Sequence, residues 1–326
     1  MKRSLTLGAC VLLLAACSGE EQEKTLVDII EQENAEIRAF LAGLGGATVT
    51  PVPYLSKKGQ VIDCTYIFNN TPPPAGSALQ EGDFVLYDYS IQRLDGSYIE
   101  STDPAIRADT FRYAVLGPIY HRMDTSKHYD YVGGALSRVA EGARGEMIVP
   151  SILRDKSGIP FHYTLKSHRV IHDLFAYEKT LIQNFIDATT VTVARYQDGN
   201  ADTLVHTLVY NAGAGTRQIQ PTDTVTLYRA CYVLDEITPL REAFSLDTLV
   251  TNAFDPARQE LPALGEALAH LREGDEANIV IPYLLAFKEK PGYHPADTRR
   301  VIPWIPPYAT LVYAIKVAKV REKQQT

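Results

Sequence analysis

Apolar and polar residues alternate with a period of two in two stretches of the chain. Val85, Tyr87, Tyr89 and Ile91 interleave with Leu86, Asp88 and Ser90, and Leu311, Tyr313, Ile315 and Val317 occupy every second position of a later segment. Such alternation predicts half-buried strands. Asp95-Gly96, just past the first stretch, is a hairpin signal. Ile279-Val280-Ile281 is a continuous apolar run and predicts a buried strand. Leu261, Leu264, Leu268 and Leu271 are spaced three, four and three apart, on one face of a helix that Gly274 stops. Leu26, Ile29, Ile30, Ile37, Phe40 and Leu41 give a second helical pattern. The pattern predicts an α+β chain, mainly antiparallel strands with a few helices.

The pattern is written twice. Glu23-Lys24-Thr25-Leu26 and Glu178-Lys179-Thr180-Leu181 each open a helical stretch, followed by β-like runs Val61 to Phe68 and Thr203 to Tyr210. Asp83-Phe84-Val85 matches Asp223-Thr224-Val225, and Leu94-Asp95 matches Leu234-Asp235, both at an offset of 140. At an offset of 132, Ala135-Leu136, Glu141-Gly142 and Val149-Pro150 match Ala267-Leu268, Glu273-Gly274 and Ile281-Pro282. At 146, Ile159-Pro160 and Thr164-Leu165 match Ile305-Pro306 and Thr310-Leu311. Blocks in constant order with small shifts imply duplication with loop changes. The period is too long for a solenoid, so two domains are expected.

The N-terminus carries different information. Lys2 and Arg3 precede an apolar run from Leu5 to Ala16, which is too short to span a bilayer and fits a signal peptide. It ends in Leu14-Ala15-Ala16-Cys17, which resembles the lipobox of bacterial lipoproteins. Cys17 is the expected lipid attachment site. Ser18 fits outer-membrane sorting, and Glu20-Glu21 resembles a surface-export signal, so an outer-membrane location facing the periplasm or the cell surface is expected. The expected divisions are a signal peptide at 1–16, an acidic tether at 17–24 and a helix/strand preamble at 25–80. The first domain follows at 81–175, a second preamble at 176–220, the second domain at 221–320 and a polar tail at 321–326.

Removing residues 1–16 leaves 310 of 326, enough for two ordinary domains. The formal net charge is −7, and loss of Lys2 and Arg3 takes it to −9. An acidic chain without a basic cluster argues against nucleic acid as a partner. Cys64 and Cys231 are the cysteines left beside Cys17 in the mature chain, and they fit two buried thiols better than one long-range disulfide. No Cys-x-x-Cys pair, nucleophile elbow, H-E-x-x-H or Walker sequence occurs. His168 and His172 have the i,i+4 spacing of a zinc pair, but on a strand that spacing spans roughly 13 Å. Gly213-Ala214-Gly215 reads as a turn. Tyr113, Tyr120, His121, His128, Tyr129 and Tyr131 crowd one region, which suits either a binding face or loop packing.

Several blocks together carry a resemblance. The first unit has Glu81-Gly82-Asp83, Val85-Leu86-Tyr87-Asp88-Tyr89, Leu94-Asp95-Gly96 and Ile99-Glu100-Ser101-Thr102. The second has Arg272-Glu273-Gly274-Asp275, Ile279-Val280-Ile281-Pro282, Leu285-Ala286-Phe287 and Ile305-Pro306-Pro307-Tyr308-Ala309-Thr310-Leu311. These resemble the FKBP-type peptidyl-prolyl isomerases over about residues 80–174 and 220–320. The resemblance implies two FKBP-like domains, each an antiparallel sheet curled around a short helix and preceded by a helix-plus-strand preamble. It also implies prolyl isomerisation without metal or cofactor, in an aromatic pocket that favours the twisted amide.

Transferred position by position, the family pocket is incomplete in both units. In the first, Tyr89 matches the strand tyrosine and Phe111 a wall phenylalanine, while Ile99, Glu100 and Val132 replace the family's Phe, Asp and Trp. The loop tyrosine falls near Asp155 and the last-strand aromatic at Ser167, so this pocket is expected to have lost most of its aromatic area. In the second, Leu264, Phe287, Ile305 and Tyr313 are expected to form a hydrophobic cradle, with Arg229 or its neighbour Tyr228 at the strand-tyrosine position. The expected function is isomerase and/or folding chaperone for extracytoplasmic proline-containing proteins, with the second unit the better candidate for catalysis. The alternative is a catalytically dead binding or scaffold lipoprotein of an envelope secretion or motility complex.

Overall fold

A computed structural model describes residues 26–55, 61–103, 106, 117–124, 130–189, 195–200, 203–237, 240–252, 261–293 and 303–322. Cys17, Phe111, the signal peptide and the acidic tether lie outside them. The first sheet is built from β1 (Thr50–Leu55), β2 (Val61–Phe68), β3 (Phe84–Arg93), β4 (Tyr98–Ser101), β5 (Ile119–Arg122), β6 (Arg144–Val149) and β7 (Phe161–Ile171). Its strands run antiparallel in the order β1-β2-β6-β7-β3-β4, with β5 on β3. The second sheet holds β8 (Arg195–Asn200), β9 (Thr203–Asn211), β10 (Thr224–Leu234), β11 (Arg241–Asn252), β12 (Glu276–Ile281) and β15 (Thr310–Arg321). Its order is β11-β10-β15-β12-β9-β8. A small hairpin pairs β13 (Gly292–Tyr293) with β14 (Pro303–Ile305). The fold is α+β, with antiparallel sheets and few helices, as the alternation predicted.

Each sheet is covered on both faces. In the first unit the short helix α2 (Tyr131–Leu136) buries Ala135 and Leu136 against Val85, Tyr87, Met147 and Leu165. On the other face α1 (Leu26–Ala42) packs Ile37, Phe40 and Leu41 against Phe68 and Ile148. In the second unit α4 (Pro262–Leu268) covers one face with Leu264 and Leu268, and α3 (Leu174–Ala188) covers the other with Leu181, Ile182 and Ile186. Burying an aliphatic side chain of this size contributes about 1.5–3 kcal/mol relative to exposure, so the helices before each unit belong to its core. The preamble strands join the sheets as well, since β2 pairs with β6 and β9 with β12.

A buried carboxylate docks each preamble helix. Glu33 in α1 is 2% exposed and accepts from the backbone N–H of Ser151 and from its hydroxyl, the latter at 2.7 Å. Glu178 in α3 is 3% exposed and accepts from the Tyr283 N–H and the Thr310 hydroxyl, each at 2.6 Å. Ser151 and Tyr283 each follow the proline that ends a strand. The equivalence therefore runs Glu33, Ile37, Phe40, Leu41 to Glu178, Ile182, Phe185, Ile186, at an offset of 145. The two Glu-Lys-Thr-Leu stretches are not counterparts.

The register of the last strand also differs from the expected one. Gly142 donates to the Ser167 carbonyl and Gly274 to the Val317 carbonyl, while Leu165 pairs with Tyr89 and Ile315 with Arg229. The last strands are thus related by 150, not 146. The two Ile-Pro dipeptides misled the alignment. The first unit crosses from Pro150 to β7 through a single 3-10 turn at Ser151–Leu153, whereas the second inserts the excursion that carries β13 and β14. The offset of 140 on the central strand holds. Asp83 and Asp223 each accept from the N–H three residues upstream, Gln80 and Gln220, at 2.7 Å.

The two units meet around the start of α3. Leu86, Tyr120, Ile171 and Leu174 form a buried cluster with Phe84, Tyr177, Tyr283 and Tyr308 packed against it. Arg169 grips Glu236 through two hydrogen bonds of 2.8 and 3.1 Å. Cys64 and Cys231 are not joined in a disulfide, and Cys231 lies in the second core.

Candidate functional site

The alternation of β3 sends Tyr87, Tyr89 and Ile91 to the same face as α2. The rings of Tyr87 and Tyr89 stack with centroids 5.9 Å apart. The β3-β4 hairpin, closed at Gly96 with φ of 87°, returns Ile99 and Glu100 beside them. The Tyr89 hydroxyl donates to Glu100 Oε1 in a short hydrogen bond. Tyr131 and Val132, on the first turn of α2, are half-buried at the same face. Behind them, Tyr163 of β7 meets Tyr131 edge to face at 5.9 Å.

The polar side of the site is organised by Asp130. Its carboxylate caps α2 by accepting from the Gly133 N–H at 2.8 Å, and its other oxygen meets His121 Nε2 at 2.8 Å. A Cβ at Gly133 would lie 2.3 Å from that oxygen, so glycine is what lets the carboxylate fold back onto the helix. His121 in turn stands edge-on to Tyr87, 6.1 Å away. Burial pushes the Tyr87, Tyr89 and Tyr163 hydroxyls well above the ordinary tyrosine range. The Asp130 charge adds to the effect at Tyr87, Glu100 adds at Tyr89, and the neighbouring Tyr131 adds at Tyr163. The three phenols are neutral at physiological pH, and the Tyr89 proton is committed to Glu100.

This arrangement corrects the expectation that the first pocket had lost most of its aromatic area. The last-strand aromatic is Tyr163, not Ser167, because of the four-residue register difference. Tyr87 and Tyr131 add further rings to this face. Of the residues named from sequence, the structure brings together Tyr89, Ile99, Glu100 and Val132.

In the second unit the structure also gathers the expected residues, but deep inside. Leu264 and Ile305 are 1% exposed and Tyr313 is fully buried, all in one hydrophobic core. Phe287 is half-buried at the edge of that core, packed over Gly292. Arg229, not Tyr228, occupies the position of the strand tyrosine. It is 4% exposed on the face of Val225, Leu227 and Cys231, whereas Tyr228 points outward. The cradle is therefore filled by its own side chains, with a guanidinium where the first unit has a phenol.

The other candidate chemistry resolves into structure. His168 pairs with Asp88 at 2.7 Å and His172 with Asp83 at 3.0 Å, two separate carboxylates of the first unit. Among the described residues no group of three or more His, Cys, Asp or Glu side chains is placed to hold a metal. No helix among them is long and apolar enough to cross a membrane. Gly213 and Gly215 form a turn pressed against Glu273 and Gly274, with the Gly213 N–H donating to Asp275 at 2.7 Å. Tyr120 faces the contact between units. Tyr113, His128 and Tyr129 lie outside the described residues.

No family model matches the chain, and no curated protein is similar to it. Among solved structures it is similar to FkpA from Escherichia coli, at 20% identity and a TM-score of 0.33, over 45% of this chain and 59% of that one. It is similar to the three FKBP domains of wheat FKBP73, at 12% identity and a TM-score of 0.31, over 79% of this chain and 95% of that one. A peptidyl-prolyl cis-trans isomerase from Pseudomonas syringae pv. tomato matches at 14% identity and a TM-score of 0.33, over 46% and 94%. The chain thus spans less than two thirds of the length of FkpA.

Proposed function

We propose that this chain is a lipid-anchored FKBP-like protein that acts on proline-containing extracytoplasmic proteins as a prolyl isomerase and folding chaperone, with its binding face on the first unit. The observation that carries the reading is the half-buried face formed by Tyr89, Glu100, Tyr131 and Val132, backed by Tyr87 and Tyr163. Prolyl isomerisation needs no acid, base or cofactor. The barrier of roughly 18–20 kcal/mol is amide resonance, and it falls when the amide twists and its carbonyl loses polarity. A face of neutral aromatic rings over an apolar floor holds a proline ring by contact. Where water is excluded, that environment favours the less polar twisted amide. The Tyr89–Glu100 bond fixes the ring that forms one wall.

The anchor is supported by Leu14-Ala15-Ala16-Cys17 and the polar residues after it. It places the units outside the cytoplasm, at the outer membrane, facing either the periplasm or the surface. The clients are unfolded or partly folded proteins in that compartment, and the membrane is contacted through lipid on Cys17. A protease-coupled assay on an Ala-Pro peptide tests the isomerase reading, and a rate equal to buffer defeats it.

A second reading is favoured for the second unit alone. Its buried Tyr313 and the guanidinium of Arg229 at the tyrosine position suit a non-catalytic binding or scaffold module. Retained holdase activity, or co-purification with one stoichiometric partner, in a chain whose first-unit site is disabled supports that division of labour.

A further inference from the structure

A cleft of about 550 Å³ opens where the units meet, within the size range of pockets that enclose a small ligand. Its walls are aromatic. Phe84 of the first unit meets Tyr308 edge to face at 4.9 Å, Tyr308 leans on Tyr283 at 6.1 Å, and Phe287 completes the lining. The rim is cationic: Arg122, Lys288 and Lys290 are exposed around it against one carboxylate, Glu289. Among the described residues none of the three cations makes an ion pair, in a chain whose net charge is −7.

The wall of this cleft is held in an unusual backbone conformation. Lys288 has φ of 58° and Tyr308 φ of 63°, and the Tyr308 N–H donates to the Lys288 carbonyl at 2.6 Å. Left-handed conformations at non-glycine residues are costly and persist where the surroundings enforce them, often at ligand sites. Here they turn Tyr308 toward Phe84 and keep Lys288 at the rim. Phe287 is shared with the core of Leu264, Ile305 and Tyr313, but the cleft is not lined by those three.

We propose that this cleft binds an extended acidic peptide segment that carries an aromatic or aliphatic side chain, the ring walls taking the side chain and the lysines and Arg122 taking the carboxylates. The site is separate from the Tyr89–Glu100 face, so it does not depend on the isomerase reading.

The test is a fluorescence-anisotropy titration of the full mature chain with two labelled, proline-free probes, Glu-Phe-Ala-Leu-Glu and Lys-Phe-Ala-Leu-Lys. The acidic probe is expected to saturate, to bind at least about tenfold more tightly than the basic one, and to weaken as salt is raised. The double variants Lys288→Glu/Lys290→Glu and Lys288→Gln/Lys290→Gln, both at exposed positions, should abolish the preference while leaving the Ala-Pro isomerisation rate at its wild-type level. Equal binding of the two probes overturns the proposal, as does undiminished binding of the acidic probe by the glutamate variant. A wild-type chain that prefers the acidic probe but does not isomerise the Ala-Pro peptide counts only against the functional reading above.

Discussion

Replacing Glu178 with alanine should release α3 from the second unit. The carboxylate is 3% exposed and bonds two donors, the Tyr283 N–H and the Thr310 hydroxyl, both at 2.6 Å. Hydrogen bonds to a charged partner contribute about 1.5–3 kcal/mol each. Part of that is offset, because burial of the carboxylate is itself costly and pushes its pKa upward. A net loss of about 2–4 kcal/mol follows, and for a unit of this size each kcal/mol is worth about 2–4 °C in Tm. The second unit should therefore melt about 5–15 °C lower, read by calorimetry or by hydrogen exchange in β9 and β12. Glu178→Gln keeps an acceptor oxygen and loses the charge, so it should cost less than the alanine variant. The pH dependence carries a sign. The folded state holds the Glu178 proton more tightly than the unfolded chain, whose value is near 4.5. In the interval above 4.5 the folded state carries the extra proton, so wild-type stability falls as pH rises there, and Glu178→Gln removes that slope. Glu178→Ala within about 0.5 kcal/mol of wild type, or a Gln variant with an unchanged slope, would refute the argument.

Other perturbations separate the remaining claims. Hydrogen bonds from His162 and Asn69 hold the Glu146 carboxyl below its usual value. The stability this contributes is present above about pH 4.5 and lost as pH falls through the lowered value, so His162→Ala should flatten the acid limb of an unfolding profile. Gly213→Ala places a Cβ 2.2 Å from the Glu273 carbonyl and should destabilise the second unit by about 1–3 kcal/mol in urea denaturation. If Cys17 carries the proposed lipid, Cys17→Ser should abolish palmitate labelling and move the chain to the soluble extracytoplasmic fraction, and cell fractionation with protease shaving of intact cells tests the proposed outer-membrane location.

Much of the fold was legible because the sheets obey a period of two and each unit buries one short helix. The β3 alternation and the Asp95-Gly96 hairpin appear where the pattern places them, and Leu264 and Leu268 lie in α4, but that helix ends at Leu268 and not at Gly274, which belongs to the turn before β12. Register was harder. Ile-Pro occurs in both units, but the loop behind it differs in length, and only the hydrogen bonds of Gly142 and Gly274 fix the offset at 150. The buried glutamates were missed because a lone Glu in an amphipathic helix reads as a solvated residue. The signal was there in hindsight: Glu33 and Glu178 each stand four residues before an isoleucine on the buried stripe. The candidate site was half legible. Tyr89, Ile99, Glu100 and Val132 follow from the family pattern and Tyr87 from the period of β3, whereas Tyr163 needed the register of the last strand and Tyr131 the packing of α2. For the second unit, sequence identified the right neighbours but could not distinguish a lined cavity from a filled core.

The most direct measurement is the protease-coupled isomerisation rate of an Ala-Pro peptide with the full mature chain, beside Tyr89→Phe and Glu100→Ala. These variants remove the hydrogen bond that fixes the wall of the first-unit site, at a stability cost of about 1–2 kcal/mol. The account predicts a rate above buffer for the wild type and at least about a tenfold reduction in the added rate for both variants, with their folds intact by circular dichroism. A wild-type rate equal to buffer, or variants that isomerise as fast as the wild type, would contradict it.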